Sequence, residues 1–238
     1  MPAAVNVDPA ELAKFGDLAQ SWWDPKGPSK PLHDLNPLRV RYIEQRTALA
    51  GLKVVDVGCG GGILSEALAA RGADVLGIDL AAPVLGVAEL HALESELSVR
   101  YRCVAAEDLA REQPGAFDVV TCMELLEHVP DPGAMVQALA QLAKPDGHVI
   151  VSTLNRNLKA YLVAVIGAEY LARVLPRGTH DYLKFIRPSE LARMGRAAAL
   201  GLQDLTGIAY HPLTRSFSLS SNTDVNYLAH FRRASASP

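Results

Sequence analysis

Two carboxylates and an imidazole stand close together at Glu124, Glu127 and His128. Their spacing of i, i+3 and i+4 puts all three on one face of a helical turn if the segment is helical. Two kinds of chemistry suit such a set. His128 could act as a general base, because an imidazole titrates near neutral pH. Alternatively, Glu124, Glu127 and His128 could ligate a divalent cation, and carboxylate oxygens suit Mg²⁺. The plainer alternative is that Glu127-His128 closes a helix before Pro130.

A second cluster is made of backbone rather than side chains. Gly58, Gly60, Gly61 and Gly62 are four glycines in five residues. So many glycines cost conformational entropy, with no packing gain expected, unless a ligand must approach the backbone. Which ligand is decided by the neighbours. A dinucleotide fingerprint would carry Gly or Ala three residues after Gly60, where this chain has the bulky Ile63. No Lys-Ser or Lys-Thr follows, which excludes a phosphate-binding P-loop. Asp79 is placed to accept from both ribose hydroxyls of an adenosine, although a helix N-cap is the alternative. Ala106-Glu107-Asp108 suits either an adenine-edge contact or a helix cap. Met123 is placed to flank the ligand, although a core position is the commoner fate of methionine.

These groups need a scaffold that brings them to one edge. The chain alternates short apolar runs with helical patterns. Strands are expected at residues 53–57, 73–80, 99–105, 116–123 and 148–154, with helices at 63–71, 84–94 and 132–143 between them. Lys144-Pro145-Asp146-Gly147 reads as a turn. Strands buried on both faces read as continuous apolar runs, so the expected fold is α/β. It is a doubly wound, Rossmann-like sheet of seven strands, whose ligands bind beyond the carboxyl ends of the strands. Two closing strands are expected at 202–210 and 216–219, after a helix at 188–200. Ahead of the sheet, Asp8-Pro9 and Asn36-Pro37 each look like an N-cap followed by Pro at the first helical position. Helices are therefore expected from Asp8 towards Trp22 and over 38–49, forming an N-terminal cover over residues 1–50. The whole of 1–238 reads as a single domain.

Bulk properties narrow the class. The chain has 238 residues, 49% of them hydrophobic, and a formal net charge of -3. That balance argues against a general nucleic-acid partner. No signal peptide and no bilayer-spanning run are evident. Three cysteines without metal-type spacing suit a reduced, cytoplasmic chain.

Taken together, residues 54–62, Gly77-Ile78-Asp79 and residues 117–123 resemble the class I S-adenosylmethionine-dependent methyltransferases. Further segments resemble one branch of them, the ubiquinone-biosynthesis O-methyltransferases. These are Ser21-Trp22-Trp23-Asp24, Lys30-Pro31-Leu32-His33, Asn36-Pro37-Leu38-Arg39, residues 124–132, residues 152–157, Gly178-Thr179-His180-Asp181 and Asp224-Val225-Asn226-Tyr227. The resemblance covers nearly the whole chain. It implies methyl-donor contacts at Arg39, Gly58, Asp79 and Met123, with Gly60 in the same loop. Arg39 is not identifiable from spacing alone; the resemblance implies that it reaches the donor's carboxylate, a natural partner for a guanidinium.

The implied substrate is a polyprenylated catechol or demethylubiquinol, methylated at two steps of one pathway. A phenol titrates near 10 and needs a base or a Lewis acid at neutral pH. The resemblance favours the metal role for Glu124, Glu127 and His128. Residues 155–188 form an insertion with six basic residues against two acidic ones. It suits either a lid or an amphipathic element at an anionic membrane surface, at the inner face of a cytoplasmic membrane. Competing readings are a methyltransferase for a soluble small molecule and a non-catalytic donor-binding scaffold within a quinone-biosynthesis complex. The cationic insertion argues against the first, and the intact Glu124, Glu127 and His128 argue against the second.

Overall fold

The structure is a computed structural model that describes residues 6–156, 184–211, 213–214 and 216–235. Most of the insertion, and with it the amphipathic stretch beginning at residue 160, lies outside the described residues.

Two cover helices come first. In α1 (Pro9–Asp17), the Asp8 side chain accepts from the Ala10 N–H at 3.0 Å and Pro9 supplies the first turn, as the cap signal predicts. The helix stops before Trp22. A 3₁₀ turn (Ala19–Ser21) tightens the chain and delivers Trp22 to the interior. The second signal misleads. α2 spans Lys30–Glu44, so it begins at Ser29 and Pro31, and Pro37 lies inside it. Asn36 does not cap; its side-chain N–H donates to the Ile63 carbonyl at 3.0 Å. Burial of Leu35, Arg39, Val40, Tyr42 and Ile43 along α2 offsets the roughly 3 kcal/mol an internal proline costs.

The sheet has eight strands, not seven, in the order β3-β2-β1-β4-β5-β8-β6-β7. The five parallel strands are β1 (Lys53–Val57), β2 (Asp74–Asp79), β3 (Val99–Cys103), β4 (Phe117–Met123) and β5 (Ala143–Leu154). Between them run α3 (Ile63–Ala69), α4 (Ala82–Glu94), α5 (Ala106–Glu112) and α6 (Pro132–Leu142). After α7 (Pro188–Ala197) come β6 (Leu200–His211), β7 (Ser216–Ser220) and β8 (Asn226–Arg233), all paired antiparallel. β6 and β7, the two expected closing strands, pair with each other as a hairpin. The strand that sequence reading lacked is β8, inserted between β5 and β6. It has no period-two alternation, because Tyr227, Leu228, Ala229, His230 and Phe231 are all buried in succession. The expected turn at 144–147 is half right. Phe117 pairs with Ala143 and Val119 with His148, so residues 144–147 bulge out and the register shifts between the two paired flanks.

Strand order reverses between β1 and β4. That switch point opens a crevice beyond their carboxyl ends. One core cluster packs α5, α6 and α7 on the sheet face around Val55, Val120, Leu139 and Phe231. A second packs α2 and α3 on the other face around Val54, Leu68, Val119 and Leu228. A third, smaller cluster joins the cover to the sheet edge through Trp22, Ile63, Ala81 and Val84. A fully buried Val, Leu or Phe of these clusters contributes about 1.5–3 kcal/mol, and such side chains wall the crevice.

Candidate active site

A cavity of about 570 Å³ occupies the crevice, roofed by the cover. Arg39, Gly58, Gly60, Asp79, Met123, Glu124, Glu127 and His128 all line it, so the structure gathers every expected site residue around one space. They divide into two ends.

The loop after β1 forms one end. Gly58 and Gly60 adopt φ of 71° and 53°, in the left-handed region that favours glycine. Contrary to the expectation, these glycines also serve packing. A Cβ on Gly60 would lie 2.4 Å from the Trp22 ring, and one on Gly58 2.9 Å from Leu125. The indole of Trp22 thus lies against the loop, while Trp23 Nε1 donates to the Gly61 carbonyl at 2.8 Å and its ring stacks on His91. Asp79, at the tip of β2, accepts from the Gly60 N–H at 2.9 Å and from the Ala81 N–H at 2.8 Å. It therefore ties the glycine loop to the residue ahead of α4, and it does not cap that helix, whose N-cap is Ala81. Burial pushes its carboxyl above the usual range. Below the loop, Asp56 accepts from Ser65 and Thr121, each at 2.7 Å, and burial pushes its carboxyl up to about 6. In the Ala106-Glu107-Asp108 segment, Ala106 and Glu107 reach the cavity, whereas Asp108 pairs with Arg111 on the surface.

The segment after β4 forms the other end. It is a turn, not a helix: Glu124 has φ of 52°, and the His128 N–H donates to the Leu125 carbonyl at 2.9 Å. Only this single turn forms and it does not continue as a helix, so the expected shared face does not form. The three side chains take separate partners. Glu127 is buried, accepts from the Thr153 hydroxyl at 2.7 Å, and has its carboxyl pushed up by burial. His128 meets Glu11 of α1 at 2.9 Å and packs edge-on to Phe15. Glu124 Oε1 lies 2.6 Å from Arg39 Nη2, yet out of hydrogen-bonding line. Among the described residues, Arg39 Nε and Nη2 and Glu124 Oε1 are therefore buried polar atoms with no hydrogen-bond partner. Such atoms are costly unless a ligand completes them. Among the described residues no three His, Cys, Asp or Glu side chains are drawn together as they stand. In donor type the trio suits a hard divalent cation, while as they stand Glu124 lies against the Arg39 guanidinium, Glu127 holds Thr153 and His128 holds Glu11.

Glu11, Trp22 and Thr153 escaped sequence reading as site residues. Glu11 lies 117 positions from His128, so no local pattern could link them.

The methyltransferase-domain family matches residues 35–205. The ubiquinone biosynthesis O-methyltransferase of Burkholderia thailandensis is 62% identical over 229 residues, covering 96% of this chain and 99% of that protein. The chain belongs to this family of O-methyltransferases. The protein of the same name from Cupriavidus pinatubonensis is 60% identical over 232 residues, covering 98% of this chain and 93% of its own length. Among solved structures, the magnesium protoporphyrin IX methyltransferase of Synechocystis PCC 6803 with bound SAM superposes with a TM-score of 0.65 at 20% identity, covering 98% of this chain and all of that one. A SAM-dependent methyltransferase from Methanosarcina mazei superposes with a TM-score of 0.62 at 18% identity, covering 82% and 98% of the two chains. At those identities the likeness shows the fold, the Rossmann-like methyltransferase sheet. In this chain three antiparallel strands and the cover are added to that sheet, and the cover lines both ends of the cavity.

Proposed function

We propose that this chain transfers a methyl group from S-adenosylmethionine to a catechol or hydroquinone oxygen of a polyprenylated ubiquinone precursor, at two steps of that pathway. The observation that carries the reading is the single cavity, which joins Arg39, Gly58, Gly60, Asp79 and Met123 to Glu124, Glu127 and His128. The donor's sulfonium is already activated, so the protein must orient it and present a deprotonated oxygen in line. Arg39, ion-paired with Glu124 but with buried Nε and Nη2 that make no hydrogen bond, suits the donor's carboxylate. Asp79 suits the ribose, and Met123 flanks the reacting end. His128 is placed to take the phenolic proton. Glu124, Glu127 and His128 would hold a divalent cation such as Mg²⁺, and when bound it lowers the pKa of the catechol.

An apolar cavity wall supports a lipid-like acceptor. Leu12, Phe15, Leu18, Leu32 and Leu35 all face the space. No helix among the described residues is long and apolar enough to cross a membrane. In this reading the cationic insertion meets anionic lipid at the cytoplasmic face of the membrane, as a peripheral contact. Association with other enzymes of quinone synthesis belongs to the same reading. The test is methylation of a short-chain polyprenyl catechol by the purified protein, followed by mass spectrometry. Methylated product is expected, with loss of turnover on chelation and recovery with Mg²⁺. No product from either catechol or demethylubiquinol would refute the substrate class, and turnover indifferent to chelation would refute the cation alone.

A further inference from the structure

We propose that Glu11, on the N-terminal cover, is the positioning residue for His128, fixing which ring nitrogen faces the reaction. The inference rests on the reading that His128 works on the acceptor, and it holds for either role, base or metal ligand. Glu11 Oε2 and His128 Nδ1 are 2.9 Å apart, and both residues line the cavity. A carboxylate can only accept, so Nδ1 carries the hydrogen and donates it. Among the described residues Nε2 has no hydrogen-bond partner, and it is the nitrogen left with a free lone pair for a proton or a cation. The ring cannot swing away, because Phe15, one turn along α1, packs edge-on to it with centroids 5.2 Å apart. Glu11 is itself held in place. Lys14 lies 3.1 Å from its Oε1, and Lys184, which also pairs with Asp8, lies 3.8 Å from it. An imidazole oriented by a carboxylate is the arrangement that both general bases and metal ligands require. Here the carboxylate comes from a different segment than the imidazole, so His128 is competent only when α1 is seated.

The test compares Glu11→Ala, Glu11→Gln and Asp8→Ala in the full-length protein. Steady-state kinetics with S-adenosylmethionine and a short-chain polyprenyl catechol is paired with ¹⁵N NMR of the histidine rings. Glu11→Ala is expected to lower kcat about 10- to 100-fold, to leave the donor's KM near its original value, and to abolish the Nδ1–H tautomer of His128. Glu11→Gln keeps an acceptor and is expected to restore most of both. Asp8→Ala loosens α1 at its cap and its Lys184 contact without touching His128, and should lower kcat clearly less than Glu11→Ala while leaving the Nδ1–H tautomer in place. An unchanged kcat or an unchanged tautomer in Glu11→Ala would overturn the proposal. Equal losses in Asp8→Ala and Glu11→Ala would also overturn it, reducing Glu11 to a docking contact. Wild-type turnover by His128→Ala would instead remove the reading of His128 on which the proposal stands.

Discussion

The two ends of the cavity are built on different principles. The end we assign to the donor is mostly backbone from one continuous stretch, the β1 tip, the glycine loop and the start of α3, with Asp79 reaching across from β2 and Arg39 from α2. The acceptor end is assembled from side chains that are distant in the chain, with Glu11, Glu127, His128 and Thr153 meeting only in the fold. Backbone geometry is dictated locally and tolerates little change. A side-chain constellation is dictated by packing, and its chemistry depends on which partner each group holds.

That contrast is tested most severely at His128. His128→Ala should lower kcat by roughly 10²- to 10⁴-fold, while calorimetry finds donor affinity unchanged. A loss of donor binding would mean that the ends are not separable. Arg39→Gln should do the reverse. Removing a charge-assisted contact worth about 1.5–3 kcal/mol weakens donor binding by roughly 10- to 100-fold, with kcat at saturating donor little altered. Gly60→Ala should be milder. Its left-handed backbone costs a Cβ about 1–2 kcal/mol, and the same Cβ must displace Trp22, so both the urea midpoint and donor affinity should fall together. A fall in one without the other would separate the glycine's packing role from its ligand role.

The smallest effect lies outside both ends. Arg232 can only donate, so His148 Nε2 accepts from it at 2.6 Å, and His148 Nδ1–H then donates to His230 Nε2 at 3.0 Å. Both rings are therefore neutral, and burial, with the nearby charges of Arg46 and Arg232, pushes His230 down from 6.5 to about 4. The folded state then binds fewer protons than the unfolded one between these values. This contribution is fully present above about pH 6.5 and is lost as pH falls towards 4, by at most about 1.4 kcal/mol per pH unit. Urea midpoints measured across that window should decline less in His230→Gln than in the wild type. Donor affinity in that variant at pH 7 should not change.

The same contrast explains what could be read from sequence. The parallel strands, the glycine loop and Asp79 are local patterns, and each emerged within a few residues of its observed place. The start of α2 was misplaced because Asn36-Pro37 mimics a helix start, while Asn36 spends its side chain on Ile63 instead. The strand β8 was missed because burial on both faces erases alternation. The acceptor end was half legible. Glu124, Glu127 and His128 were singled out by type and spacing, but the positive φ at Glu124 and the partners Glu11, Arg39 and Thr153 carry no local signal.

Residues 9–22 are one uninterrupted piece of chain, and they bear both Glu11 and Trp22. Trp22 packs on the glycine loop while Glu11 meets His128, so one short segment of the chain braces both ends of the cavity at once.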